Sequence, residues 1–276
     1  MALSVNTNTG AMTALQYLSN TQAQMSATQT AISTGYKVAS AKDDGATFAI
    51  AQNMRGQVAA YQSVTDSLNR GMSAVDVAMS AGQSISDLLT QMKAKALSAS
   101  DKSIDTASRA ALNNDFTALR DQIQTIVSNA SFNGFNMLDG KTASISALAN
   151  TDGTKSISVS AQTMALGSGA MSNITSTSNI STQSGAATMV SSVQKSLVAV
   201  NAALAKLSSG SKQYSIQLSF ASKLSDTVTS GIGNLVDANM ATESAKLTSL
   251  QTKQQLGVQA LSIANSAPQT ILSLFQ

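Results

Sequence analysis

The 276-residue sequence predicts a mainly α fold: an elongated rod of long antiparallel coiled-coil helices, with paired terminal helices and a small outer segment that contains a β-hairpin. Three observations carry that prediction. Apolar residues recur every seven positions at Met54, Tyr61, Leu68, Val75 and Leu89, with Gly82 and Ala96 on the same line and Val58, Met72 and Met79 on the alternate one. The pattern returns on two later lines, Val190, Leu197, Leu204, Leu218 and Ile232, and Val193, Val200, Leu207, Tyr214, Ala221, Val228 and Leu235. Finally, the first 36 residues and the last 23 repeat apolar residues at helical spacing yet contain no charged side chain. A helix facing water normally displays Lys and Glu, whereas amide and hydroxyl faces can be buried against each other without desolvating an ion. The two ends are therefore expected to meet other copies of the chain.

In chain order, residues 1–36 form a terminal helix with Ala11, Leu15, Leu18, Met25 and Ile32 on its apolar face and a stop near Gly35. Residues 37–45 are a linker in which Lys42, Asp43 and Asp44 cluster, a pattern that in most proteins is a solvated turn. Residues 46–130 hold two helices. The first, from about Ala46 to Ser98, would span about 80 Å, against a diameter of about 50 Å for a compact globule of this chain length. A sphere cannot contain it, hence the rod. The second runs from about Asp105 to Asn129, with Leu112, Phe116, Leu119, Ile123 and Ile126 on one face.

Residues 131–187 change texture. Ser144–Leu148 and Lys155–Gln162 alternate small polar with apolar residues around Asn150, Thr151, Asp152 and Gly153, so a hairpin is predicted. From Ser156 to Gln194 there is no charge and an excess of Ser, Thr and Gly. A plain polar cap is one reading; a surface modified on its hydroxyls is the other. Candidate O-glycosylation sites are Thr154, Thr163, Ser168, Ser172, Thr175 and Thr177. Residues 188–232 form the returning helix, whose regularity over more than six heptads predicts antiparallel packing on the helix from Ala46. Gly231 and Gly233 mark a joint, after which residues 233–276 form a last helix with Met240, Leu247, Leu250 and Leu261, ending near Pro268.

The terminal helices carry weak seams. Gln22 and Gln29 on one, and Gln254 and Gly257 on the other, stand where a self-sufficient pair would carry Leu or Ile. A buried Leu contributes about 1.5 to 3 kcal/mol, while an unpaired buried amide costs about 1 to 3. Ordering through polymer contacts is therefore expected for these two helices.

Composition narrows function further. The chain has no Cys, no His, no Trp and one Pro, so the usual thiol nucleophile, the commonest metal ligand and the side chain that titrates near neutral pH are all missing. No Ser, Asp or Lys stands with an obvious activating partner, and a non-enzyme without cofactor or metal is expected. A net charge of +3 with thinly spread Lys and Arg leaves no electrostatic footprint for nucleic acid. The N-terminus has no basic n-region, and Asn6, Asn8, Gln16, Asn20, Gln22, Gln24 and Gln29 interrupt any apolar run, so neither a cleaved signal peptide nor a membrane anchor is expected.

At this point particular stretches resemble a known family, the bacterial flagellins. SVNTNTGAMTALQYL (Ser4–Leu18) looks like its opening motif, ISTGYKVASAKDDGATFAIAQNM (Ile32–Met54) is similar to its N-terminal signature, and FNGFNML (Phe132–Leu138) is similar to its strand entrance. At the other end, Asp237–Phe275 resembles the family's closing helix. The resemblance implies a self-polymerising subunit of the extracellular flagellar filament. It also implies a chain exported unfolded and uncleaved through the flagellar type III apparatus with its chaperone, and partnered by filament cap and hook-associated proteins. Terminal helices would line the filament channel, the long helices would form a surrounding shell, and residues 37–45 would be the spoke between them. Resemblance to flagellins, several of which are O-glycosylated, raises the modification reading. Gln91 and Lys95 stand near where many flagellins offer Arg and Leu to innate immune receptors, so a weakened contact with such a receptor is expected. A hook–filament junction protein, which shares flagellin-like ends, is the alternative.

Overall fold

A computed structural model of the protein describes the backbone of residues 7–272 and side chains as far as Ser266. The chain is mainly α and divides into two compact units, residues 1–56 with 227–276, and residues 57–226. Its elements are α1 (Thr9–Thr34), α2 (Gly45–Ala99), α3 (Thr106–Asn129), the short pair β1 (Ser131–Phe132) and β2 (Phe135–Asn136), the pair β3 (Ser144–Leu148) and β4 (Ser156–Ser160), a single 3-10 turn at Gly169–Met171, α4 (Gln183–Val236) and α5 (Met240–Leu272).

In the central unit α2 and α4 run antiparallel. Asp76 pairs with Ser211 at 3.5 Å, Ser86 with Asn201 at 3.2 Å and Lys93 with Gln194 at 2.6 Å, so one helix descends in number as the other climbs. Between them Leu68, Val75, Leu89, Val193, Val200, Leu207 and Tyr214 are fully or nearly fully buried, and Tyr61, Leu197, Leu204 and Leu218 pack partly buried around that core. Met54 belongs to the other unit, where it is half-buried.

α3 adds Phe116, Ile123 and Val127 to the same core. Its first turn is capped by the Asp105 carboxylate, which accepts from Ser108 N at 2.7 Å. The preceding turn is tied down by Arg109, whose guanidinium donates at 2.9 Å to the carbonyl of Ala99, a group that α2 leaves unpaired at its end, and at 3.0 Å to the carbonyl of Asp101 in the turn that follows. Asn136 does the same for α3: its amide donates to Val127 O at 2.7 Å while its oxygen accepts from Leu138 N at 2.8 Å.

The β1–β2 connection uses Asn133 and Gly134, both at positive φ, as the two-residue hairpin turn requires. The second hairpin pairs Ser144 with Ser160 through to Leu148 with Ser156, and its Ala147 and Val159 face the helices. Tyr214 anchors it by donating its hydroxyl to Ile145 O at 2.6 Å, and burial pushes that phenol's pKa up. Gly210 is needed directly beneath: a Cβ there would meet Val159 Cγ1 at 2.4 Å.

Several boundaries differ from the sequence reading. α4 begins at Gln183 and continues past Gly231 and Gly233 to Val236, so the turn falls at 237–239. A helical glycine costs only about 1 kcal/mol relative to Ala, and here the Met54 methyl occupies space that a Gly231 Cβ would need, 2.9 Å away. The second hairpin strand is narrower than expected, Ser156–Ser160.

Nor does the last helix stop at Pro268. α5 runs on to Leu272. Proline removes the N–H that would reach the carbonyl four residues earlier, and that carbonyl, Ala264 O, accepts instead from the Asn8 amide at 2.7 Å.

The terminal unit also takes in the first turns of α2. After Gly35, whose φ of 77° closes α1 in the left-handed conformation that favours glycine, the chain runs against the end of α4. Lys37 N donates to Val236 O and Ala238 N to Gly35 O, each at 2.8 Å, around a Tyr36–Asp237 bridge. Val38, Ala51 and Val236 then form a small core with Phe48, Ile232 and Leu235.

Candidate subunit-contact surface

α1 and α5 pack antiparallel in the terminal unit, and their seam is mixed rather than apolar. Gln254 Nε2 donates to Gln22 Oε1 at 2.8 Å, so these two amides are joined by a hydrogen bond at the exposed edge of the seam instead of standing apart. Gly257 leaves room for Leu18: a Cβ at that glycine would lie 3.3 Å from Leu18 Cδ1. Asn8 closes the far end, capping Ala11 N at 2.9 Å with its oxygen while its amide serves Ala264.

The residues singled out from sequence fall into two groups. Met25 and Leu250 are buried inside the subunit, and Leu18, Ile32, Leu247 and Leu261 are half-buried along the seam. Leu15 and Met240, by contrast, are 59% and 44% exposed. Periodicity did not single out Met12, Tyr17, Leu256, Val258 and Ile263, which lie off the seam and are all more than half exposed. The signal that could have found them is the missing charge, because residues 1–36 and 254–276 surround these apolar side chains with no ion, only with amides and hydroxyls that can themselves be buried against a partner. Met12, Leu15 and Gln16 line an open depression of about 630 Å³ along α1.

Among the described residues of this unit, the buried Thr28 Oγ1 and Glu243 Oε2 have no hydrogen-bond partner. The latter has only an ion contact with Lys246 Nζ at 3.6 Å. Unmade hydrogen bonds cost about 1 to 3 kcal/mol each, a further sign of a helix pair with little stability to spare.

In the 37–45 linker the two carboxylates are consumed locally. Asp43 accepts from Ser40 N at 2.8 Å and Ala39 N at 3.1 Å, and Asp44 caps α2 through Thr47 Oγ1 at 2.6 Å and Ala46 N at 3.0 Å. The Ser40 backbone bond chiefly holds Asp43 below the usual carboxylate range, and the Thr47 hydroxyl does so for Asp44.

Elsewhere, Thr154, Ser168, Ser172, Thr175 and Thr177 are exposed, whereas Thr163 is partly buried against Gly140 and its carbonyl accepts from Ala170 N. Gln91 is exposed. Lys95 is paired with Asp115 at 2.6 Å. Among the described residues no group of three His, Cys, Asp or Glu side chains is placed to hold a metal ion, and no helix is long and apolar enough to cross a membrane.

Comparison with known proteins decides the family. Profiles described as the bacterial flagellin N-terminal helical region and the bacterial flagellin C-terminal helical region match residues 5–143 and 190–275. The chain belongs to the bacterial flagellins. It is 50% identical over 277 residues to flagellin FljM of Caulobacter vibrioides, covering 100% of both chains. It is also 36% identical over 284 residues to a flagellin of Brucella melitensis and 32% identical over 328 residues to flagellin C of Rhizobium meliloti, covering 99% of each chain in both cases. As a flagellin the chain is a structural subunit that polymerises with other flagellin copies into the extracellular flagellar filament.

Proposed function

We propose that this flagellin makes its innermost filament contacts through the outward faces of α1 and α5. The observation that carries the reading is the set of bare apolar side chains on two helices nearly devoid of charge, Met12, Leu15 and Tyr17 on one and Leu256, Val258 and Ile263 on the other. Covering them removes apolar surface from water at about 25 cal/mol per Å², and every added copy repeats the gain. On this reading residues 1–36 and 233–276 form an inner tube, 37–45 the spoke, 46–130 and 188–232 the shell, and 131–187 the face toward the medium. An uncharged channel wall suits export, because it offers no fixed ions to hold a chain passing through it unfolded. The type III export apparatus with its chaperone, the filament cap and the hook-associated proteins are the further partners, export needs no cleaved signal, and the protein performs no catalysis.

Deleting residues 1–36 or 237–276 should abolish seeded polymerisation while most helical circular dichroism from the central unit survives. Filaments formed by either truncated protein would refute the assignment.

A further inference from the structure

The central unit carries a second surface with the marks of a contact between copies. α4 turns Val193, Val200, Leu207 and Tyr214 inward. Its opposite side exposes Val198 at 59% and Ile216 at 62%, together with Lys195, Lys206 and Lys212. No acidic residue occurs anywhere between residues 183 and 225. Among the described residues these three lysines take part in no ion pair.

On α2, which carries Arg70 on one side and Lys93 and Lys95 on the other, the stretch between residues 71 and 92 has the opposite sign, its only charged residues being Asp76 and Asp87. Asp76 and Asp87 are exposed there, and Leu97 follows at 60% exposure. Asp87 has no partner among the described residues, and Asp76 receives only the long bond from Ser211. Lys195 and Lys206 stand eleven residues apart, as do Asp76 and Asp87. Eleven residues make three helical turns, a rise of about 16.5 Å, so each pair lies along its own helix axis at the same spacing. The two stripes match in charge and repeat, yet none of their charges is paired with one on the other stripe of the same chain.

We infer that the Lys195–Lys206 stripe of one copy docks against the Asp76–Asp87 stripe of a second copy of this chain, covering the exposed apolar side chains that flank both. Two lysine stripes repel, as do two aspartate stripes, so the contact is front to back. Such heterologous contacts propagate instead of closing into a dimer. The inference rests on the reading of the chain as a polymer subunit and adds a lateral, charge-specified interface to the contacts of the terminal helices.

The test uses the full chain, elongating sonicated filaments of the same protein and followed by sedimentation. Lys195→Glu/Lys206→Glu and Asp76→Lys/Asp87→Lys should each elongate at least fivefold more slowly than the parent, with helical circular dichroism unchanged. An equimolar mixture of the two, or the fourfold exchange in one chain, should recover at least half the parental rate, because opposite charges again face each other. Should Asp76→Lys/Asp87→Lys lose helical signal, Asp76→Asn/Asp87→Asn replaces it, with at least a twofold slowing expected. Parental rates from the reversed variants, or a mixture as slow as its folded components, would overturn the pairing alone. A parent that fails to elongate on its own seeds would overturn the polymer reading and this inference with it.

Discussion

Leu15→Glu should leave the subunit folded and stop it polymerising, whereas Leu250→Ala should weaken the terminal unit before assembly begins. The two leucines look equivalent in the sequence, each at an apolar position of a terminal helix. In the structure Leu15 is 59% exposed and Leu250 3% exposed. Burying a whole leucine is worth about 1.5 to 3 kcal/mol, so the exposed part of Leu15 contributes about 1 to 2 kcal/mol on contact with a neighbouring copy. Glutamate forfeits that and adds the cost of desolvating a carboxylate without a partner, several kcal/mol more. With about 1.4 kcal/mol per tenfold change in an equilibrium constant, the critical concentration should rise at least a hundredfold. Leu250→Ala removes a buried side chain and should cost about 2 to 5 kcal/mol of the terminal unit's stability. Urea unfolding of the monomer and the concentration left in the supernatant after seeded growth measure the two effects separately. A Leu15→Glu protein with the parental critical concentration would show that this face of α1 touches no other copy.

Arg109→Ala should destabilise the central unit by about 1 to 3 kcal/mol in thermal or urea unfolding, since the carbonyls of Ala99 and Asp101 lose their donor; Arg109→Lys, without the planar fork, should recover only part of it. The Ser108 side chain is the chief group holding Asp105 below the usual carboxylate range, so its contribution is present above the ordinary carboxylate pKa and is lost as pH falls through the depressed one. Asp105→Asn keeps a good cap and should flatten that acid-side loss in unfolding midpoints taken at descending pH; an unchanged slope would clear Asp105 of the effect. Peptide mass spectrometry of native filaments should find sugars at one or more of Thr154, Ser168, Ser172, Thr175 and Thr177 before Thr163, which is partly buried; an unmodified intact mass, apart from loss of Met1, would leave residues 142–184 a plain polar cap.

Periodic burial was legible because it is a local property of a helix. Seven-residue spacing specifies which side chains share a face whatever the helix meets, and so the long core lines of α2 and α4 could be written down from residues such as Leu68, Leu89, Val200 and Leu207. The caps were harder to see: Asp105 is an ordinary start signal, while Arg109 serving the end of α2 depends on how the chain turns between two helices. Pro268 shows the limit most plainly. As sequence it ends a helix; in the fold the carbonyl it strands is taken by Asn8, 256 residues away, and the helix goes on. Gln22 and Gln254 likewise read as flaws in two separate seams until the packing of α1 on α5 makes them one hydrogen bond. Periodicity placed Leu15 and Leu250 alike on apolar faces, but it carries no information on which faces the rest of the chain covers. Coverage is a pairwise fact about distant segments, and it was the tertiary structure that put one leucine inside the subunit and left the other exposed.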